Sequence, residues 1–146
     1  MRLLPKVVLA GVALALLGGC SKDASPEEQV RSVIESMELA AEARDVGDLM
    51  EHVSAAYRSA DGQDRAEASR YVRGYFVANQ SIHLLTRIET LEFPAPDEAR
   101  VKLQVGMAGR DGQGAAALNA DLYDFDVALV REDGEWKVSY ADWRAH

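Results

Sequence analysis

The chain has 146 residues with 16 basic and 24 acidic side chains, a formal charge of −8, and one cysteine. That length holds one domain with one hydrophobic core. The acidic balance and the lack of any basic stripe argue against a nucleic acid partner, since polyanion binding rests on phosphate neutralisation by Lys and Arg, and a single cysteine excludes an intramolecular disulfide.

Met1 to Lys6 is a short basic start, and Val7 to Leu17 is an apolar run interrupted only by Gly11. A bilayer core needs about 20 apolar residues, so this run is too short to span one and fits the central segment of an export signal. It ends in Leu17-Gly18-Gly19-Cys20, which resembles the bacterial lipobox: an aliphatic residue, two small residues, then cysteine. Small residues let a peptidase hold an extended backbone beside the scissile bond. An ordinary signal with an incidental cysteine is the alternative, but the basic start, the apolar run, the small pair and the only cysteine agree with each other.

The resemblance implies cleavage between Gly19 and Cys20, diacylglycerol on the Cys20 thiol and acylation of its new amine. Each buried CH₂ contributes about 0.8 kcal/mol, so two or three chains anchor stably to a membrane. Ser21 in place of Asp implies sorting to the periplasmic face of the outer membrane, or to the cell membrane if the source has only one. The organisation expected is therefore a signal over 1–19, a lipidated cysteine and tether over 20–25, and one domain over 26–146. The tether from Ser21 to Ser25 reaches under roughly 20 Å at about 3.3 Å per residue. Loss of Arg2 and Lys6 takes the charge from −8 to −10.

Ser25-Pro26-Glu27-Glu28 predicts a helix start, with Ser25 as cap, Pro26 at the first helical position and Glu28 closing a capping box. Val30, Val33, Ile34, Met37 and Ala41 follow at helical spacing, so the helix runs to about Arg44. Gly47 breaks it, and Asp48 caps a shorter helix through Leu49, Met50 and Val53. Asp64 caps a third helix, whose stripe is Ala68, Val72, Tyr75 and Phe76 and which ends near Asn79. Strands follow over 82–93, 100–107, 121–131 and 135–143, the last two joined by the hairpin turn Asp133-Gly134.

Three helices followed by a four-strand meander predict an α+β fold, with N-terminal helices packed on a curved antiparallel sheet. The Gly47-Asp48 helix junction and the terminal hairpin, Asp133-Gly134-Glu135-Trp136-Lys137-Val138, resemble the nuclear transport factor 2-like superfamily over about residues 26–144. The resemblance implies a cone in which helices close a cystatin-like curved sheet over an internal pocket. The superfamily includes ketosteroid isomerases, scytalone dehydratase and polyketide cyclases, and binding domains without catalysis.

Pairing Glu132 with Glu135 sets Leu129 opposite Val138, Val127 opposite Tyr140 and Phe125 opposite Asp142, all on the core side with Tyr123 and Trp136. Trp143 then falls on the outer side, as a dimer contact or a tail side chain folding back. Asp142 is the one acid on the core side. It is either a pocket carboxylate with a raised pKa or a solvated group at the rim, paired with an arginine. Candidate pocket residues are Asp142, Tyr140, Phe125, Tyr75, Tyr71 and Tyr57; the tyrosine hydroxyls either donate to a ligand or lie at the edge of core rings.

His52 and His83 are isolated and His146 is terminal, so no metal or other cofactor is expected. No serine stands in a nucleophile-elbow context. The glycine-rich stretch from Gly106 to Gly114 lies between strands and reads as a hairpin loop, not a phosphate cradle. Three functions compete. One is a non-catalytic domain binding a small apolar ligand or a periplasmic protein. The second is an isomerase, dehydratase or cyclase with Asp142 as general base beside a pocket tyrosine. The third is a structural homodimer joined sheet to sheet. Only one acid falls on the core side, where the ketosteroid isomerases use two, which counts against the enzyme.

Overall fold

The computed structural model describes residues 24–110 and 118–146. The signal over 1–19, the cleavage pair Gly19 and Cys20, most of the tether, and residues 111–117, which include the end of the expected glycine-rich loop, lie outside the described residues. Helix α1 is Pro26–Glu42 and α2 is Val46–Glu51, followed by strand β1, Val53–Ser59, and helix α3, Arg65–Ala78. Strands β2 (Ser81–Ala95), β3 (Glu98–Arg110), β4 (Leu118–Glu132) and β5 (Glu135–Ala145) complete a five-stranded sheet in the order β1-β5-β4-β3-β2.

The helix starts follow the expected chemistry. The Ser25 hydroxyl accepts from Glu28 N, and the Glu28 carboxylate accepts from Ser25 N at 2.8 Å. Asp64 and Glu67 repeat the reciprocal arrangement at α3. The α1–α2 junction differs. Asp45, not Asp48, caps α2, its carboxylate accepting from Asp48 N, and Gly47 sits inside the helix. The chain turns at Arg44, one residue before the Asp45 cap, where φ is +54°.

Strand β1 begins at Val53, expected within the second helix, and runs through a stretch for which no element was expected. It pairs in parallel with β5, Val53 beside Val138 and Arg58 beside Tyr140, so the sheet is mixed at one edge and antiparallel elsewhere. Its sequence, Val-Ser-Ala-Ala-Tyr-Arg-Ser, has no strict alternation of its own. The last strand of the chain supplies its hydrogen-bond partners, which no local pattern reveals.

The β4–β5 turn has positive φ at Asp133 (50°) and Gly134 (80°), the conformation that a two-residue hairpin demands. Glu132 pairs with Glu135 and Leu129 with Val138, as expected. Then the register shifts. Ala128 pairs with Tyr140, leaving Ser139 as the extra residue of a β-bulge, and Val127 meets Ala141 and Phe125 meets Trp143. A side-chain period of two means that one inserted residue exchanges the faces of everything beyond it. Ala141 and Trp143 therefore turn inward, and Tyr140 and Asp142 turn outward. The expectation that Asp142 faces Phe125 on the core side, and that Trp143 lies outside, is corrected by this bulge.

Core packing concentrates towards the turn end of the sheet. Val30, Ala99, Val101, Leu129 and Trp136 are all buried there. Trp136 is 3% exposed, its ring 5.8 Å from Phe93, with the Arg131 guanidinium 4.7 Å from its centroid. Its indole Nε1 donates to Gln29 Oε1 of α1 at 3.1 Å. The core cluster draws on residues from Val30 to Ala141, so the described segment carries a hydrophobic core of its own.

Candidate ligand cavity

Beyond that packed end, the helices and sheet separate around a cavity of about 300 Å³. Ile34, Met37 and Ala41 of α1 wall it on one side, and Ala68, Val72 and Phe76 of α3 on another. Its floor is the inner face of the sheet: Leu84, Leu103, Val105, Val127 and Val138, with Ala141 turned in by the bulge. Two anchors hold the helices over it. The Arg44 guanidinium donates to the Phe76 and Asn79 carbonyls, tying the end of α1 to the end of α3. Glu42 accepts from Leu84 N at 2.9 Å, tying α1 to β2.

Seven of the chain's ten aromatic side chains line this cavity: Tyr57, Tyr71, Tyr75, Phe76, Tyr123, Phe125 and Trp143. Part of the wall is a continuous series of rings. Tyr71 lies 6.2 Å from Trp143, Trp143 is stacked 6.1 Å from Phe125, and Phe125 lies 6.3 Å from Tyr123. These separations are within the 4.5–7 Å range of favourable ring pairs. Three of the four methionines, Met37, Met50 and Met107, also line the cavity, and their flexible thioethers adapt to irregular shapes.

Four of the six expected pocket residues are brought together here: Phe125, Tyr75, Tyr71 and Tyr57. Tyr57 is 4% exposed, whereas Tyr71 is 57% exposed. Burial raises the Tyr57 pKa above 10.0, with the Tyr140 phenol adding to it. Burial raises Tyr75 as well, helped by Tyr123, Asp121 and Tyr71, and it raises Tyr123, helped by Asp121 and Tyr71. All three remain neutral phenols at physiological pH.

Tyr140 and Asp142 are not in the cavity. They lie on the opposite face of the sheet, in a polar hollow with Thr90, Glu92, Arg100 and Lys102. Asp142 pairs across the strands with Asp126, which accepts from Arg144 at 3.3 Å. The cavity's carboxylate is instead Glu38, half-buried on α1, with no hydrogen bond or ion pair among the described residues. Among the described residues, Gln63 and Thr86 add further polar side chains to the tyrosines and the Trp143 indole. Glu38 had a signal: it stands four residues after Ile34 and three before Ala41, so the helical period places it on the apolar stripe. Trp143 had none, because its direction depends on the bulge.

A curved sheet closed by α1, α2 and α3 over an apolar cavity is the nuclear transport factor 2-like fold. Solved structures share it at low identity. A candidate scytalone dehydratase from Novosphingobium aromaticivorans matches with a TM-score of 0.75 and 13% identity, over 82% of this chain and 83% of that one. A candidate dehydratase of the same fold family from Streptomyces avermitilis matches at 0.71 and 14%, over 82% and 96%. The hexachlorocyclohexane dehydrochlorinase LinA-type3 from Novosphingobium barchaimii matches at 0.69 and 16%, over 82% and 86%. No protein-family model matches the sequence, and no curated protein matches it, so the likeness is one of fold.

Proposed function

We propose that this chain is a lipoprotein whose domain holds a small, largely apolar molecule in the cone without transforming it. Lipidated Cys20 tethers the domain to the periplasmic face of the outer membrane, or to the cell membrane where there is only one. The observation that carries the binding reading is the cavity itself. Its wall combines aliphatic side chains, three methionines and seven aromatic rings around about 300 Å³. Such a lining rewards apolar surface, at about 25 cal/mol per Å² removed from water, and sites of this kind place a few polar groups to set orientation.

A second reading is favoured by Glu38 and by fold neighbours that include a dehydrochlorinase and dehydratases. In it, Glu38 abstracts a proton from a bound substrate while a tyrosine hydroxyl donates to the developing charge. It stands second because Glu38 has no paired acid in the cavity among the described residues, and Asp142 lies on the other side of the sheet.

The test is saturable binding of N-phenyl-1-naphthylamine, a neutral fluorescent apolar probe, to residues 21–146. Expected is a one-to-one complex with enhanced emission, weakened at least fivefold by Ala68→Phe, which places a ring inside the cavity. Absence of saturable binding, or indifference to Ala68→Phe, would overturn the reading.

A further inference from the structure

We infer that the molecule held in the cone carries a positively charged nitrogen, an ammonium group on an apolar body. This rests on the binding reading above and specifies its ligand class. Among the described residues, the cavity is lined by no lysine, arginine or histidine, and its one carboxylate, Glu38, has no cationic partner. Glu38 shares the cavity wall with the apolar side chains of Ile34, Met37 and Ala41, so its charge faces the ligand space with no ion pair beside it among the described residues. A ligand cation restores what the protein leaves missing, whereas an anionic ligand would meet Glu38 with nothing to offset it.

The rings point the same way. Tyr71, Trp143, Phe125 and Tyr123 form a continuous aromatic wall with neighbouring centroids 6.1–6.3 Å apart. Aromatic faces carry negative quadrupole charge and attract an organic cation within about 6 Å, tryptophan most strongly. Asp121 stands near Tyr75 and Tyr123 and adds negative potential at that side. Burial keeps Tyr75 and Tyr123 neutral, so they present phenol rings, not phenolates, to a soft, weakly hydrated cation. A neutral hydrocarbon would be held by the apolar lining but would leave Glu38 without a partner.

The experiment compares 2-phenylethyltrimethylammonium with its carbon isostere, (3,3-dimethylbutyl)benzene. Both compete against N-phenyl-1-naphthylamine on residues 21–146 and on Glu38→Gln, after cooperative unfolding of each has been verified. The two ligands have the same shape, so their affinity ratio isolates the charge. Expected is at least tenfold tighter binding of the ammonium by the unsubstituted domain. Glu38→Gln should reduce that ratio at least fivefold. Equal or weaker binding of the ammonium, with the isostere still displacing the probe, overturns the cation while leaving the apolar cavity intact. A ratio that survives Glu38→Gln overturns the role given to Glu38. Failure of the probe itself to bind overturns the binding reading beneath both.

Discussion

Truncating Trp136 to alanine tests whether the packed end of the cone is what holds the domain together. The side chain is 3% exposed and meets Phe93, the Arg131 guanidinium and Gln29. A buried tryptophan covers roughly 150–250 Å², and at about 25 cal/mol per Å² this amounts to roughly 4–6 kcal/mol of transfer free energy, an upper estimate because the unfolded chain is not fully extended. Measured truncations of buried large aromatics cost about 3–5 kcal/mol, a large part of the 5–15 kcal/mol typical of a domain. At this size each kcal/mol lowers Tm by about 3–5 °C, so Trp136→Ala should lower Tm by roughly 10–20 °C. Trp136→Phe keeps a ring against Phe93 and loses the hydrogen bond to Gln29, and should cost about 1–2 kcal/mol. The assay is thermal and urea unfolding of residues 21–146, which should fold cooperatively without the anchor. A fall in Tm below about 3 °C for Trp136→Ala would refute the packing argument.

Asp142→Asn, on the outer face, should change stability by no more than about 0.5 kcal/mol and leave probe binding unaltered; a several-fold loss of binding would return the residue to the cavity. Raised pKa values for Tyr57, Tyr75 and Tyr123 favour the protonated folded form. Their contribution is therefore complete below pH 10.0, the value for the unfolded chain, and is lost as pH rises through the folded values. Alkaline titration followed by phenolate absorbance should show these three ionising above 10, with unfolding free energy falling over the same range; ionisation at 10 or below would contradict their burial. Cys20→Ser should abolish lipid attachment and membrane fractionation of the full chain, and a processed, membrane-bound variant would remove the lipobox reading.

Much of this protein follows from local chemistry. The two capping boxes mark the starts of α1 and α3, because each satisfies exposed backbone N–H groups with side chains three residues apart. Asp133-Gly134 sets the hairpin because its turn needs positive φ at both positions. Alternation along Val101, Leu103, Val105 and Met107 marks the inner face of β3, and helical spacing brings Tyr71 and Tyr75 to the cavity with Phe125. Two decisions belong to the tertiary structure alone. Strand β1 exists because β5 offers its edge in parallel, a pairing between residues some 80 positions apart in the chain. The bulge at Ser139 exchanges Asp142 for Trp143 on the inner face, and one residue of slip cannot be seen in a pattern whose period is two. The candidate site turns on that slip, because it removes the carboxylate expected from the sheet and leaves the cavity, among the described residues, to an aromatic wall and the acid that α1 brings to it.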